Sequence, residues 1–507
     1  MSDQQAPVVI AGAGPNGLML ACELALAGVT PVVLDRLPGP SSEPKANGLV
    51  GQVVRMLDMR GLYQAFTGDD GPPRPADGWM FAAMALNFSG VPNNPMYAML
   101  MPQPRLVRLL EKRARDLGVD VRWGHELVGL RPEPESVALK VSSPGGDYGL
   151  SASYLVGADG GHSPVRKALG IDFPGSTSAT VSRLAHVHIP ERLRRADGVV
   201  EIPGFGPLPF GHTRFDNGGL IFAEFEPGRA MLGSIEFGPC AEEEPMCLDE
   251  LRQSVRRVVG VDIPFVEPKG AGPHALRRIE GWNTRHATRY RDGRVLLLGD
   301  AAHVHSAMGG PGLNLGLQDA INLGWKLAAQ VEGRAPEGLL DTYESERHPA
   351  GTRVMMHSLA QTALMAPGPE VKALRTLFGE LLTGTAVAEK MAALLAGSDV
   401  VYDVGDHHPL SGRLVADLTL DDGRRIVELL HDARPVLLDL DGAVAADAGG
   451  WADRVDTVTA TVADRPAAAM LIRPDGYVAW AADTIGAGER DGLRAALRRW
   501  FGAGSSG

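Results

Sequence analysis

The sequence predicts an α/β chain: a Rossmann-like dinucleotide-binding domain, interrupted by an antiparallel sheet and followed by a second, smaller α/β unit. Three observations carry that prediction. Gly12-Ala13-Gly14-Pro15-Asn16-Gly17 stands between a short apolar strand and a helix, with Asp35 about 20 residues on. Two further apolar runs, 154–158 and 294–298, end at Asp159-Gly160 and Gly299-Asp300, so each reads as a buried strand delivering an acid to one sheet edge. Between Gly170 and Gly281 the pattern changes to short alternating strands separated by turns.

At 507 residues the chain exceeds a single core, and two or three domains are expected. With 44% hydrophobic and 22% charged residues it has an ordinary globular composition. A net charge of -12 argues against nucleic acid or an anionic membrane as partner. Polar Ser2-Asp3-Gln4-Gln5 leads directly into the first strand and no run of about 18 apolar residues follows, so a cytoplasmic protein without a membrane span is expected. Cys22, Cys240 and Cys247 form no C-x-x-C pair, which supports neither a disulfide framework nor a zinc ribbon. His303 and His305 have no carboxylate or cysteine cluster beside them, and no metal site is expected.

Taken in order, Val8-Val9-Ile10-Ala11 is the first strand, 18–26 the first helix, and Val32-Val33-Leu34 the second strand, closed by Asp35. Gly12 permits the tight turn, Gly14 lets a pyrophosphate approach, and Gly17 lets helix pack on strand. Asp35 would accept from ribose hydroxyls. Residues 53–57 read as a helix ended near Gly61, and 69–77 as a Pro- and Gly-rich loop. From Trp79 to Met101 aromatics and methionines dominate, as core filling or as the wall of an apolar pocket. A helix over 105–117 stops at Gly118, and 119–130 with 137–141 read as a small antiparallel piece. Within the inserted sheet, 219–225 and 231–237 are strands and 248–259 a helix. One long helical stretch is expected from about 343 to 395. After a break at 405–409, strands at 436–440, 455–462 and 469–480 and a helix over 490–501 make a terminal α/β unit.

The chain is organised around Gly299-Asp300 and the glycine-rich run 309–316 behind it, because that run opens a helix at Leu317. A strand-to-helix turn of this kind aims free backbone N–H groups and a helix dipole at an oxygen-rich or anionic group. The junctions at Gly12, Asp159 and Asp300 therefore describe one crevice.

On these motifs the chain resembles the class A FAD-dependent aromatic hydroxylases typified by para-hydroxybenzoate and phenol hydroxylases, and it is similar throughout to bacterial hydroxylases of aromatic polyketides. Gly12 to Gly17 with Asp35 resembles their ADP-binding turn, and Asp159-Gly160 with Ser163 and Val165-Arg166 their D-G motif. Gly299-Asp300, continuing through Gly309, Gly312, Asn314, Asp319-Ala320, Asn322-Leu323 and Trp325-Lys326-Leu327, resembles the G-D motif. The last hundred or so residues look like the family's thioredoxin-like tail. Lacking C-x-x-C, that tail is structural or dimerising, and a homodimer is allowed.

The resemblance implies an FAD-binding domain over 1–172 and 281–400, with 75–101 contributing to the substrate pocket, a substrate-binding domain over 173–280, and a thioredoxin-like domain over 401–507. It implies non-covalent FAD held by Gly12, Gly14, Pro15, Asn16, Gly17, Asp35, Arg36, Lys45, Gln103, Asp159, Gly299, Asp300, Gly309, Gly312, Leu313 and Asn314. Asp300 would hold the ribityl hydroxyls, Gln103 would lie near the ribityl or pyrophosphate, and Gly312 to Asn314 would meet the flavin pyrimidine edge. It implies NADPH, with NADH allowed, binding transiently, and O₂ forming a flavin C4a-hydroperoxide that hydroxylates a phenolic or polycyclic aromatic of polyketide type. Trp79, Phe81, Met84, Met96, Phe222 and Phe237 are the expected pocket walls. Tyr97, His186, Arg214 and Glu224 are weighed as phenol bases with none preferred, so the catalytic side chain is unassigned. A Baeyer–Villiger oxygenase, a flavin-linked reductase or dehydrogenase, and a non-catalytic flavin-binding protein are the rival readings. Lys45 and Gln52 stand where relatives commonly carry arginine, and Ala307-Met308 follow Ser306 where many have proline.

Overall fold

The first apolar run forms β1 (Gln4–Ala11), whose Val8, Val9 and Ile10 are wholly buried, as befits a strand covered on both faces. The structure, a computed structural model, describes residues 4–505 except 44, 227, 241, 243, 269–273 and 307. After the glycine turn, α1 (Pro15–Leu26) starts on a proline, suited to a first-turn position that needs no N–H. β2 (Val32–Asp35) follows, and later α2 (Gln103–Asp116), which ends before Gly118 at φ +86°.

β3 (Asp120–Trp123) pairs parallel with β2, Val33 opposite Val121. The expected antiparallel piece is therefore two things. Gly124, at φ +74°, turns the chain after β3, and only β4 (Glu126–Pro132) and β5 (Val137–Ser142) form an antiparallel hairpin. That hairpin extends the first half of β6 (Tyr148–Gly157), which itself runs parallel to β1.

The chain then builds a second sheet from β7 (Thr180–Val187), β8 (Gly211–Phe215), β9 (Gly218–Glu226), β10 (Arg229–Phe237) and, after α3 (Leu248–Val259), β11 (Arg277–Glu280). The order is β8-β9-β10-β7-β11, antiparallel throughout. One face packs Leu220, Phe222 and Leu232 against Leu251 and Val255 of α3.

On its return the chain inserts β12 (Val295–Leu297) beside β6, so the parallel core of the first sheet runs β12-β6-β1-β2-β3. α4 (Pro311–Val331) is buried over most of its length, and α5 (Thr342–Met365), α6 (Pro369–Leu381) and α7 (Thr385–Ala396) follow. The expected single helical stretch is thus three helices. Gly368 at φ +115° and Gly384 separate them, whereas Pro349 sits inside α5 without ending it.

The tail holds β13 (Val436–Asp439), β14 (Asp456–Thr459), β15 (Ala469–Ile472) and β16 (Val478–Ala482), closed by α8 (Ala487–Phe501). Its order β14-β13-β15-β16, with one parallel and two antiparallel pairs, is thioredoxin-like. It docks on α4, where Trp325 meets Trp500 and Phe501 at centroid distances of 6.3 and 6.2 Å. Beneath them Arg473 places Nη1 and Nη2 on the Glu346 carboxylate at 2.6 and 2.8 Å and also bonds Asp475. Lys326 Nζ reaches the same Glu346 at 2.7 Å, closing a buried set of two cations and two anions. Among the described residues no helix is long and apolar enough to cross a membrane.

Candidate active site

Strands β1, β6 and β12 lie side by side with Ala11, Gly157 and Leu297 in register, so the three junctions leave the sheet as neighbours. Gly12, at φ +115°, comes so close to β6 that a Cβ would stand 2.3 Å from the Ala158 carbonyl oxygen. A Cβ on Gly17 would stand 2.0 Å from the Gly12 oxygen, while Gly14 faces open space. Asp35 anchors this turn: Oδ2 accepts from the Ala13 N–H at 2.8 Å and Oδ1 from Leu37 N–H at 2.9 Å.

Asn16 reaches across to the third junction. Its side chain wedges between Gly299 and Gly316, where added Cβ atoms would stand 2.3 and 2.2 Å from Nδ2. At the second junction Asp159 Oδ2 accepts from Val165 N–H at 3.0 Å, while Oδ1 is buried without a partner. Burial pushes this carboxyl up against the opposing pull of Ser163, Val165 N–H and Arg166. Arg166 donates to the Ala301 and Gly161 carbonyls at 2.8 and 2.9 Å, tying the second junction to the third.

Asp300 is exposed at the crevice, where desolvation by the surrounding walls raises its carboxyl against the opposing pull of His303 and Lys45. Behind it His303 Nε2 meets Asp319 Oδ2 at 2.7 Å, and Asp319 Oδ1 accepts from Arg347 Nε at 2.7 Å. The first turn of α4 begins at Gly310 with no side-chain cap, leaving its N–H groups open to a ligand. Asn314 holds the approach to that turn, donating to the Gly310 carbonyl at 2.6 Å and accepting from Val50 N–H at 2.9 Å. Gly309 and Gly312 border the same loop, and Leu313 is half-buried beside it. Arg36 and Lys45 are exposed, and Gln103 is half-buried with its N–H on the Ala46 carbonyl at 2.8 Å.

Between the second sheet and this crevice lies a cavity of about 550 Å³. Leu184, Ile221, Ile235 and Ile279 form its apolar wall, Trp282 closes one side, and His305, Ser306 and Met308 carry it to the α4 loop. Ala307 falls outside the described residues. The expected pocket walls need revision here. Phe222 faces α3, because period-two alternation on β9 turns Ile221 instead toward the cavity. Phe81 and Met96 are sealed in a cluster with Leu86, Phe88 and Leu364. Trp79, Met84 and Phe237 are half-buried against that cluster, which also contains the cavity residue Met308.

A family model described as an FAD binding domain matches residues 5–358, and one described as the C-terminal region of aromatic-ring hydroxylases matches residues 408–504. The chain belongs to the class A FAD-dependent aromatic hydroxylases. This hydroxylase is 43% identical to the 12-dehydrotetracycline 5-monooxygenase/anhydrotetracycline 6-monooxygenase of Streptomyces rimosus, over 98% of each chain. It is 37% identical to the rifampicin monooxygenase of Streptomyces venezuelae, over 99% of each. The solved anhydrotetracycline hydroxylase OxyS from Streptomyces rimosus superposes with a TM-score of 0.86 at 40% identity, covering 99% of this chain and 100% of that one.

The hydroxylase's crevice suits FAD on its own geometry. Two uncapped helix starts face it, at α1 and α4, and Gly14 leaves room where a pyrophosphate needs it. The Asp300 carboxylate, which accepts no hydrogen bond from the described residues, matches a polyol. Among the described residues no cluster could hold a metal ion. Of the residues weighed as bases, Glu224 is ion-paired with Arg194 at 2.7 Å and His186 accepts from Arg229 at 3.3 Å. Tyr97 is half-buried, and Arg214 donates to the Ala366 carbonyl at 2.9 Å. The Asn16 wedge, the Arg166 tie, the His303–Asp319–Arg347 hydrogen-bonded chain and the place of His305 on the cavity escaped the sequence reading. Asp319 was visible as part of the G-D motif, but nothing in the spacing tells that it meets His303.

Proposed function

We propose that this FAD-dependent aromatic monooxygenase uses NADPH and O₂ to hydroxylate a phenolic fused-ring compound of polyketide type seated in the cavity. One oxygen atom enters the ring and the other leaves as water. The observation that carries this reading is the cavity's placement: an apolar wall wide enough for fused rings ends at His305, Ser306 and Met308, beside the uncapped first turn of α4. Relatives named for anhydrotetracycline, 12-dehydrotetracycline and rifampicin support a large substrate. FAD, reduced by NADPH and supplied with O₂, provides an electrophilic oxygen. The chain's residues do the rest. Asp300 and the turn at Gly12 to Gly17 hold the cofactor, the open N–H groups of α4 favour negative charge on its ring, and the isoleucine wall keeps water from the reacting carbon. Oxygen uptake with NADPH across a panel of polycyclic phenols, with products identified by mass and NMR, tests the reading. Uptake that yields only hydrogen peroxide with every phenol, or insertion of oxygen between two ring carbons, overturns it.

Two consequences follow for the cofactor. Asp300→Ala removes acceptors for polyol hydroxyls worth about 0.5 to 1.5 kcal/mol each, so FAD affinity should fall roughly tenfold or more by equilibrium dialysis. Unchanged affinity would remove Asp300 from the site. The second concerns reduction. The fingerprint turn at Gly12 would hold FAD, which leaves NADPH to dock transiently, and the Gly309–Gly312 loop would give the flavin ring room to reach it. Gly309 sits at φ +77°, so Gly309→Val strains that loop. Anaerobic stopped-flow should show slower reduction in the variant with FAD retained, and faster reduction of the wild type when a hydroxylated phenol is bound. Equal rates with and without that phenol would exclude a substrate-gated ring.

A further inference from the structure

The cavity's polar groups are nearly all engaged within the protein. Ser182 Oγ accepts from Trp282 Nε1 at 3.0 Å, Asn283 Oδ1 accepts from Thr177 Oγ1 at 2.7 Å, and Ser306 Oγ accepts from Met308 N–H at 3.3 Å. Arg166 is spent on two carbonyls, and Arg285 donates to the Phe173 carbonyl and to Thr177. Three histidines stand apart from this pattern: His162, which is exposed at the cavity's rim, and two that lie further in. His305, on the α4 side, places Nδ1 2.9 Å from the Ser306 carbonyl. A carbonyl only accepts, so Nδ1 carries the proton and Nε2 is a bare acceptor, buried and unpartnered beside Gly312.

His212 is the more telling of the two. It lies on β8, lines the cavity next to the apolar wall, and neither ring nitrogen has a hydrogen-bond partner among the described residues. We propose that His212 is a specificity-determining residue, hydrogen-bonding a hydroxyl on the part of the fused-ring substrate that lies against the second sheet. The inference rests on the function proposed above and names what the cavity selects: a fused ring with an oxygen substituent on the edge facing β8, not a bare hydrocarbon edge.

The chemistry is consistent with that role and with no stronger one. Burial holds His212 at a pKa of about 4, so it is neutral near pH 7, with one nitrogen to donate and one to accept. A phenol near pKa 10 would have to give up its proton to a base some six pKa units weaker, so His212 orients the hydroxyl and does not ionise it. His212 is half-buried in a cavity that opens to solvent, so a seated ring displaces water from the imidazole and a substrate hydroxyl takes that water's place. A substrate lacking that hydroxyl leaves the imidazole unsatisfied, which is how a polar group in an apolar wall discriminates.

The test uses the FAD-loaded protein and two probes of equal size, 2-hydroxyanthraquinone and 2-methylanthraquinone. Binding is followed by quenching of tryptophan fluorescence, since Trp282 lines the cavity, at a pH where the hydroxyl probe is neutral. The wild type should prefer the hydroxyl probe by about five- to tenfold. His212→Leu should abolish that preference by weakening the hydroxyl probe alone, His212→Gln should restore part of it, and FAD content should not change. A preference that survives His212→Leu, equal weakening of both probes, or no binding of either probe to the wild type overturns the proposal. Oxygen uptake and product formation with phenols, measured on the same preparations, keep the two readings apart. A wild type that hydroxylates no phenol overturns the function, whereas one that hydroxylates while its probe preference ignores His212 overturns only this inference.

Discussion

Glu346→Ala should destabilise the protein by about 3 to 5 kcal/mol, the cost of breaking a buried ion pair by removing one partner. The carboxylate is the meeting point of Arg473, Lys326 and the Asn322 amide, at 2.6, 2.7 and 2.7 Å, and all four residues are almost completely buried. Deleting it leaves two desolvated cations facing the single remaining acid, Asp475. The network also joins the tail to α4 and α5, so the loss should appear in both parts of the chain. A lower thermal midpoint, with tryptophan and far-ultraviolet signals falling together, is the expected observation. A midpoint within a degree or so of wild type would show that the pairs are dispensable. Acid should mimic the mutation. Burial alone would raise the Glu346 carboxyl, but Arg473 and Lys326 outweigh it and hold the group well below the usual carboxylate range. Its contribution is therefore complete above the unfolded-chain value of about 4.3 and is lost as pH falls below that toward the folded-state value.

The two fingerprint glycines should separate cleanly. Gly12→Ala forces a Cβ to within 2.3 Å of a backbone oxygen, at a φ that L-residues rarely adopt, so the fold itself must shift. Apo-protein stability and FAD affinity should both drop, the affinity by at least thirtyfold if about 2 kcal/mol of strain is relieved only by opening the turn. Gly14, at φ -71° with nothing within 4 Å of an added methyl group, tolerates alanine in the apo-protein. Its Cβ would occupy the space a pyrophosphate needs, so Gly14→Ala should leave thermal stability unchanged while FAD affinity falls. Measuring the thermal midpoint without FAD and affinity by titration decides it. A Gly14→Ala protein that binds FAD as wild type does would place the pyrophosphate elsewhere.

What the sequence revealed, and what it concealed, follows from how each feature is encoded. The parallel core was legible because Val8 to Ala11, residues 154–158 and residues 294–298 are continuous apolar runs ending at glycine and acid. Helix α3 was legible because its apolar positions recur at helical spacing and Gly260 stops it. β3 was misassigned because four residues with one inward valine look alike in a parallel edge and in a hairpin. Phe222 was misplaced because alternation gives two faces without saying which is which, and only the packing of Leu251 and Val255 chooses. The Asn16 wedge depends on two glycines about 280 and 300 residues away, a relation no local pattern contains. His212 looked like any polar residue on a short strand until the groups around it were seen to be engaged elsewhere.

Asn16 and Arg166 have one consequence beyond holding residues in place. They link the three junctions to one another through contacts made by the chain itself, so the frame of the crevice does not rely on the cofactor for its ties. A receptor assembled in advance has few torsions left to freeze, and most of the contact energy with FAD is expressed as affinity instead of being consumed in ordering loops. The expected consequence is that FAD can be removed and returned without loss of the fold.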